Sequence, residues 1–217
     1  MESTEGKRRR VTEILSILRR LYPDARLALA FSNPLELLVA LILAAQARDE
    51  LVNVVAAPLF RKYRSAADWA ALPEERLQEE LRKINFYRNK TRAIQKACRA
   101  LIERFGGEVP DRLEDLLTLP GVGRKTANIV LGNAFGQPAI GVDAHVGRVS
   151  GRLGLTDQTD PDKIEADLLA LVPTSDRVAF CHLLQAHGRA VCLARNPRCP
   201  HCELRDLCPY PQRATAS

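Results

Sequence analysis

The sequence predicts an all-α protein. The apolar fraction is 46% and comes mainly from alanine and leucine, whereas aromatic residues make up only 5% of the chain. This balance favours helices over sheets. Apolar residues recur at intervals of three and four, the spacing of one helix face, and no stretch alternates long enough to indicate a strand. We therefore expect roughly ten short helices.

Each expected helix follows from a local signal. Residues 1–10 are polar and basic, and we expect them to form a mobile arm. From Val11 the apolar residues take helical spacing, and Pro23 ends the first helix. Asn33 is a candidate N-cap for a second helix that begins at Pro34. Its body, Leu35 to Ala47, is apolar on nearly all sides, which is typical of a central helix. Further helices are expected at 49–63, 65–72, 73–85, 88–105, 111–118, 124–134, 143–153, 160–171 and 176–190.

Length, charge and cysteine content narrow the class of protein. The chain has 217 residues and a net charge of +6, which suits a globular protein and is compatible with a polyanionic partner. The longest apolar run, 37–45, has about half the length that a bilayer requires. The N-terminus lacks an apolar signal segment. We expect no membrane association and a cytoplasmic location, where six cysteines would not form disulfides.

A glycine-rich hairpin is the first informative motif. It has the sequence Leu-Pro-Gly-Val-Gly at 119–123 and lies between two expected helices. Amides in such a turn, next to a helix N-terminus, form an anion site that suits a nucleic-acid phosphate. Arg124 stands where a P-loop requires glycine, and the third glycine of a dinucleotide fingerprint is missing. The alternative is a turn in which the glycines only permit packing.

Two side chains near this hairpin are candidates for chemistry. Lys125 lies in the first turn of the following helix, where the helix end and Arg124 both disfavour the ammonium form. A neutral amine there could attack a carbonyl-like carbon, although a solvated phosphate-binding lysine is the alternative. Asp143 could stabilise positive charge on a sugar or simply act as an N-cap. For His145 we favour packing or hydrogen bonding over catalysis.

Four cysteines cluster near the C-terminus. Cys192, Cys199, Cys202 and Cys208 have the spacing C-x₆-C-x₂-C-x₅-C. One close pair and two single cysteines suit an iron–sulfur cluster better than zinc, which usually takes two close pairs. The first loop of this segment also carries Arg195 and Arg198, which could clamp a phosphate. Cys98 and Cys181 lie in expected helices and are interpreted as buried apolar residues.

Taken together, these motifs resemble the endonuclease III family of base-excision repair enzymes. The resemblance runs from SNPLELLVALILAAQ through LPGVGRKTANIVL and GVDAHVGRV to HGRAVC and the cysteine segment. It implies two all-α domains. Residues 27–137 would form a six-helix barrel whose helix-hairpin-helix spans about 111–134. Residues 1–26 and 138–217 would form a discontinuous domain that holds a [4Fe–4S] cluster.

The resemblance also implies roles for individual residues. Lys125 would be the nucleophile and Asp143 the essential carboxylate, and the four cysteines would be the cluster ligands. Gln46 would fill the gap left by a flipped base, and Phe86 would be the wedge. The remaining expected DNA contacts are Gly121, Val122, Gly123, Arg124, His145, Arg195 and Arg198. Departures from the family pattern that bear on lesion preference are Arg48, Asn85, Phe86, Ala144 and Gly147.

The function implied is a bifunctional DNA glycosylase and AP lyase. It would remove oxidised or ring-saturated pyrimidines through a lysine Schiff base and cut the strand 3′ to the abasic site. The partner would be double-stranded DNA with damaged bases or abasic sites, bound by a monomer at the nucleoid. The alternatives are a catalytically silent DNA-binding scaffold with a structural cluster, and a monofunctional glycosylase of the same fold.

Overall fold

The structure, a computed structural model, describes residues 2–211 and is entirely helical within them. Eleven α-helices and three short 3₁₀-helices follow one another without a strand in this part of the chain, which confirms the expected fold class. The α-helices are α1 Thr4–Leu21, α2 Pro34–Ala44, α3 Asp49–Lys62, α4 Ala66–Ala71, α5 Glu74–Leu81, α6 Tyr87–Phe105, α7 Leu113–Leu116, α8 Arg124–Ala134, α9 Ala144–Arg152, α10 Pro161–Leu171 and α11 Arg177–Ala190. The 3₁₀-helices, which the sequence analysis did not expect, are Thr174–Asp176, Cys199–His201 and Arg205–Leu207.

The chain divides into two compact units, with the boundaries at Arg26/Leu27 and Gln137/Pro138. The discontinuous unit contains α1 and α9 to α11. Within it, α11 packs against α9 and α1, and α1 also packs against α10. One apolar core joins these helices, and three of the four clustered cysteines pack against that core. These are Cys192, Cys202 and Cys208.

The N-terminal arm expected over residues 1–10 is a wrong prediction for the residues from Thr4 onward. Helix α1 already begins there, with the Ser3 side chain accepting a hydrogen bond from the Gly6 amide at 3.1 Å. Arg10 is anchored by an ion pair to Glu2 at 2.6 Å and by a hydrogen bond to the Leu207 carbonyl at 3.0 Å. A cap and long-range contacts of charged side chains therefore extend the helix beyond its apolar stripe.

The contiguous unit, from Leu27 to Gln137, is built around α2. This helix packs against α3, α6 and α8, while α4 and α5 pack on α6. Asn33 caps α2 as expected, because its side chain accepts a hydrogen bond from the Glu36 amide at 2.9 Å. The middle of α2 is buried, as its apolar sequence predicted. Two helices end three or more residues earlier than expected: α2 at Ala44 and not at Ala47, and α5 at Leu81 and not near Asn85.

None of the helices in residues 2–211 combines the length and apolar character that crossing a lipid bilayer demands.

Candidate active site

The predicted hairpin forms a tight turn between α7 and α8. Gly121 has a φ of 81°, and the Val122 amide donates to the Leu119 carbonyl at 3.1 Å. Val122 is buried and anchors the turn. Gly123 is the N-cap of α8, and no side chain caps this helix end. A helix N-terminus that follows a glycine turn is a common position for a bound phosphate.

Lys125 is exposed in the first turn of α8. Its position follows from the hairpin, because Gly123 ends the turn and the helix begins at the next residue. The amine thus lies at the N-terminal end of a helix, next to the hairpin.

A cavity of about 280 Å³ lies in the same unit and brings several predicted site residues together. Gln46, Phe86 and Gly121 line it, as does Thr126, the neighbour of Lys125 in the chain. The cavity walls are otherwise apolar side chains of α2 and α6 together with Asn89 and Lys90.

Two residues at this cavity have an unusual backbone. Gln46 has a φ of 56° and Phe86 a φ of 58°, which is the left-handed region that side-chain-bearing residues rarely adopt. The Asn85 amide group donates to the Gln46 carbonyl at 3.4 Å and joins the two segments. Phe86 is 61% exposed, so an apolar ring is held out into solvent. Strained backbone of this kind concentrates at functional sites.

Lys90 is a residue of this cavity that the sequence analysis missed. It is only 6% exposed, and its Nζ donates to the Leu43 carbonyl near the end of α2 at 2.8 Å. Burial lowers the pKa of this amine below its ordinary value. Nothing in the local pattern of α6 distinguishes Lys90 from the basic residues around it, so only packing identifies it.

Asp143 is the N-cap of α9, as its position suggested. Its Oδ1 accepts a hydrogen bond from the Val146 amide at 2.8 Å. Its Oδ2 accepts one from Nε2 of Gln185 on α11 at 3.1 Å. Both oxygens therefore have a partner, and the half-buried carboxylate is held in one orientation.

His145 and His182 lie on the helices that meet at Asp143. His145 Nδ1 lies 3.1 Å from the Arg148 guanidinium, which also donates to the Gly188 carbonyl at 3.0 Å. His182 hydrogen-bonds Gln185, and burial lowers its pKa despite that bond and the nearby Asp143 charge. His182 and Gln185 were both missed, although their polar side chains one turn apart on α11 were a usable signal.

The four clustered cysteines line one cavity in the discontinuous unit. All four are free thiols. The Arg152 guanidinium donates to the Cys192 sulfur at 3.3 Å and to the Leu193 carbonyl at 2.6 Å. Burial raises the pKa of the Cys202 and Cys208 thiols, and the charges of neighbouring cysteines act in the same direction.

This donor set fits a metal–sulfur cluster. Four thiolates around one cavity would repel one another, and a cationic centre removes that cost. No group of three or more histidine, cysteine or carboxylate side chains within residues 2–211 has the geometry to hold a single metal ion. Arg195 and Arg198 are exposed on the loop between the first two of these cysteines, and Asn196 between them has a φ of 51°.

The chain is similar to proteins of known identity over most of its length. Residues 39–174 match the family model of the HhH-GPD superfamily of base excision DNA repair proteins. The chain is 51% identical to endonuclease III of Synechocystis sp. over 208 residues, 95% of each chain. It is 48% identical to endonuclease III of Bacillus subtilis over 189 residues, 87% of this chain and 86% of the relative.

Among solved structures, the chain matches a trapped covalent intermediate of endonuclease III with DNA, described as an estranged-adenine complex. The TM-score is 0.89 at 43% identity, with coverage of 96% of this chain and 98% of the other. A non-covalent endonuclease III–DNA complex matches with the same TM-score and identity. With family model, relatives and fold in agreement, the chain belongs to the HhH-GPD superfamily and, within it, to the endonuclease III family of DNA glycosylases and AP lyases.

Proposed function

We propose that this protein removes oxidised or ring-saturated pyrimidines from double-stranded DNA and then cuts the strand 3′ to the resulting abasic site, with Lys125 as the nucleophile. The observation that carries the proposal is the exposed amine of Lys125 at the N-terminus of α8, in a chain that is 43% identical to an endonuclease III trapped covalently on DNA. The bond in such a complex requires a nucleophile, and a lysine after the hairpin supplies one.

The reaction begins when the damaged nucleotide is flipped out of the duplex, because the glycosidic carbon is inaccessible in the stack. The neutral amine of Lys125 forms a bond to C1′ as the bond from C1′ to the base breaks. The base leaves with the bonding electrons and takes up a proton. The nitrogen loses one proton, and the C1′–O4′ bond then opens as O4′ takes up a proton, which gives a protonated imine. Loss of a C2′ proton then expels the 3′ phosphate, and hydrolysis of the imine releases Lys125.

Asp143 is proposed as the essential carboxylate of this sequence. Positive charge develops on the sugar as the base leaves, and an oriented carboxylate stabilises it. Asp143 suits this role because hydrogen bonds to Val146 and Gln185 fix both of its oxygens. Its participation in proton transfer is a part of the same proposal.

The proposed DNA contacts fall into three groups. The amides of Gly121, Val122 and Gly123, together with Arg124, would bind a phosphate and position the duplex without reading sequence. Gln46 and Phe86, which share one cavity, would occupy the gap left by the flipped base. His145, Arg195 and Arg198 are proposed as further contacts. We propose that the protein acts as a monomer on DNA of the nucleoid in the cytoplasm.

We also propose that the four cysteines hold a [4Fe–4S] cluster. When bound, the cluster supplies iron–thiolate bonds that hold the loop of Arg195 and Arg198 rigid. The discontinuous unit would then be the cluster domain, and the contiguous unit would be the barrel domain with the helix-hairpin-helix. The support is the cavity lined by four free thiols.

Borohydride trapping tests the proposed nucleophile. The wild-type protein should form a covalent adduct with a duplex that contains an abasic site, because borohydride reduces the imine. Lys125→Gln should lose the adduct entirely, since an amide cannot form an imine. The matched control is Lys163→Gln, which removes another exposed lysine from the first turn of a helix and should trap like the wild type.

The same assay separates the alternatives. Base release without strand cleavage or trapping would indicate a monofunctional glycosylase. Binding of damaged DNA without base release or trapping would indicate a silent scaffold.

A further inference from the structure

The carboxylate of Asp143 has a second hydrogen-bond donor that the family motif does not contain. We propose that Gln185 is a positioning residue that orients Asp143 for the reaction, and this inference rests on the function proposed above. The Val146 amide holds Oδ1 at 2.8 Å, and the Gln185 amide nitrogen holds Oδ2 at 3.1 Å. The first bond belongs to α9 itself, whereas the second comes from α11.

A single cap bond leaves a carboxylate free to turn. The terminal torsion of aspartate has a broad energy profile, so a bond to Oδ1 alone permits a range of directions for Oδ2. A donor on Oδ2 from a second helix narrows that range. Gln185 is half-buried on α11, and α11 packs closely against α9, so the donor is itself rigidly placed. The carboxylate of Asp143 is then held in one orientation before the substrate binds.

His182 determines which end of the Gln185 amide meets the carboxylate. His182 lies three residues earlier on α11 and hydrogen-bonds the Gln185 side chain. A glutamine amide has one acceptor oxygen and one donor nitrogen. When an imidazole N–H takes the oxygen, the nitrogen remains for Asp143. Burial lowers the pKa of His182, so the ring is neutral near neutral pH and orients the amide without adding a charge.

Other titratable groups also lie around Asp143, but the donor to its Oδ2 atom is Nε2 of Gln185. On α11, burial raises the pKa of Cys181 to about 12, so its thiol is uncharged. The negative charge of buried Glu165 on α10 also disfavours the thiolate form of Cys181. On α9, the Nδ1 atom of His145 lies beside Arg148. Gln185 supplies a hydrogen bond to Oδ2.

Single-turnover cleavage of a duplex with one abasic site tests the role of Gln185. Gln185→Leu keeps the bulk of the side chain and removes its donor. We expect the rate constant of strand cleavage to fall roughly 10- to 100-fold, because a misdirected catalytic group costs that much. The dissociation constant for the duplex should stay within about twofold of the wild-type value, since the change affects orientation and not phosphate contacts. An unchanged rate constant would overturn the proposal, as would weakened DNA binding at an unchanged rate.

A second variant distinguishes positioning from a general loss of structure. Gln185→Glu has nearly the same shape but donates a hydrogen bond only when the introduced carboxyl is protonated. When ionised, it places a second negative charge about 3 Å from Asp143 and repels it. The ratio of variant to wild-type rate should therefore rise as the pH falls from about 8 to about 5.5. A ratio that does not change with pH would contradict the proposal.

The controls separate this inference from the function on which it rests. Gln158→Leu removes an exposed glutamine of the same unit and should cleave like the wild type. If Lys125→Gln still traps, the proposed nucleophile fails. If Lys125→Gln loses trapping while Gln185→Leu cleaves at the wild-type rate, only the role of Gln185 fails.

Discussion

At the scale of single residues, the polar groups of the candidate site are held by partners distant in sequence. Gln185 reaches Asp143 across 42 positions, and Lys90 reaches the Leu43 carbonyl across 47. Each bond fixes a side chain or a helix end that the proposed chemistry uses. A buried or half-buried polar group with one good partner is stable, and the same group without it would be costly.

Lys90 makes the stability of the protein depend on pH. Burial lowers its pKa in the folded state, so between that pKa and the ordinary value the unfolded chain binds more protons than the folded one. The free energy of unfolding contributed by this group therefore rises with pH in that interval. The neutral amine can still donate to the Leu43 carbonyl, so the contact itself is kept.

We expect the unfolding free energy of the wild type to increase relative to that of Lys90→Met as the pH rises from about 8 to about 10. Urea denaturation at a series of pH values measures this difference, and cysteine and tyrosine titrations cancel because both proteins share them. Lys96→Met, which changes an exposed lysine of the same helix, should give no such trend. A difference that is constant with pH would show that Lys90 titrates normally.

At the scale of elements, the hairpin between α7 and α8 depends on an unusual backbone conformation. Gly121 has a φ of 81°. A Cβ atom added there would lie 3.6 Å from the Cβ atom of Ala93, which is an ordinary contact distance. The requirement for glycine is therefore conformational and not a matter of space. Gly123 has a φ of −92°, which other residues also adopt.

The two glycines should respond differently to alanine. Gly121→Ala should lower the free energy of unfolding by at least about 1 kcal/mol, because alanine is strained at positive φ. Gly123→Ala should change it by less than about 0.5 kcal/mol, since an added Cβ there meets open space. Chemical denaturation of both variants checks this. Equal losses would mean that contacts, and not the backbone angle, determine the need for glycine at 121.

At the scale of the whole molecule, each unit has its own source of stability. The contiguous unit is organised around the buried helix α2. The core of the discontinuous unit extends to Cys192, Cys202 and Cys208. A cluster held by these residues would therefore support that core directly, and its loss would leave repelling or exposed thiols beside apolar side chains.

We expect the protein purified without oxygen to contain about four iron and four sulfide ions per chain. Removal of the iron should speed amide hydrogen exchange in residues 138–211 and in α1, while exchange in residues 27–137 should change little. Mass spectrometry of exchange with and without iron measures this. Stoichiometric zinc in place of iron would contradict the cluster assignment, and equal loss of protection in both units would contradict their independent stability.

The sequence by itself determined the helical class, most of the helices and the family. These follow from local information: apolar spacing, the Asn33 cap, the glycines of the hairpin and the spacing of the cysteines. Local apolar spacing was insufficient at α1, because its polar first turns are held by the Ser3 cap, by the ion pair of Arg10 with Glu2 and by a hydrogen bond from Arg10 to the distant Leu207 carbonyl.

Only the tertiary structure decided which polar groups pair with partners distant in the sequence. Lys90 and Gln185 were not predicted. The pattern of α6 does not single out Lys90, and the polar pair on α11 does not tell which residue more than 40 positions away Gln185 will meet. The left-handed backbone of Gln46 and Phe86 was likewise invisible, since neither residue favours that region on its own. The physical reason is the same in each case: side-chain contacts between distant segments, and the strain they can sustain, are properties of packed helices and not of any one stretch of chain.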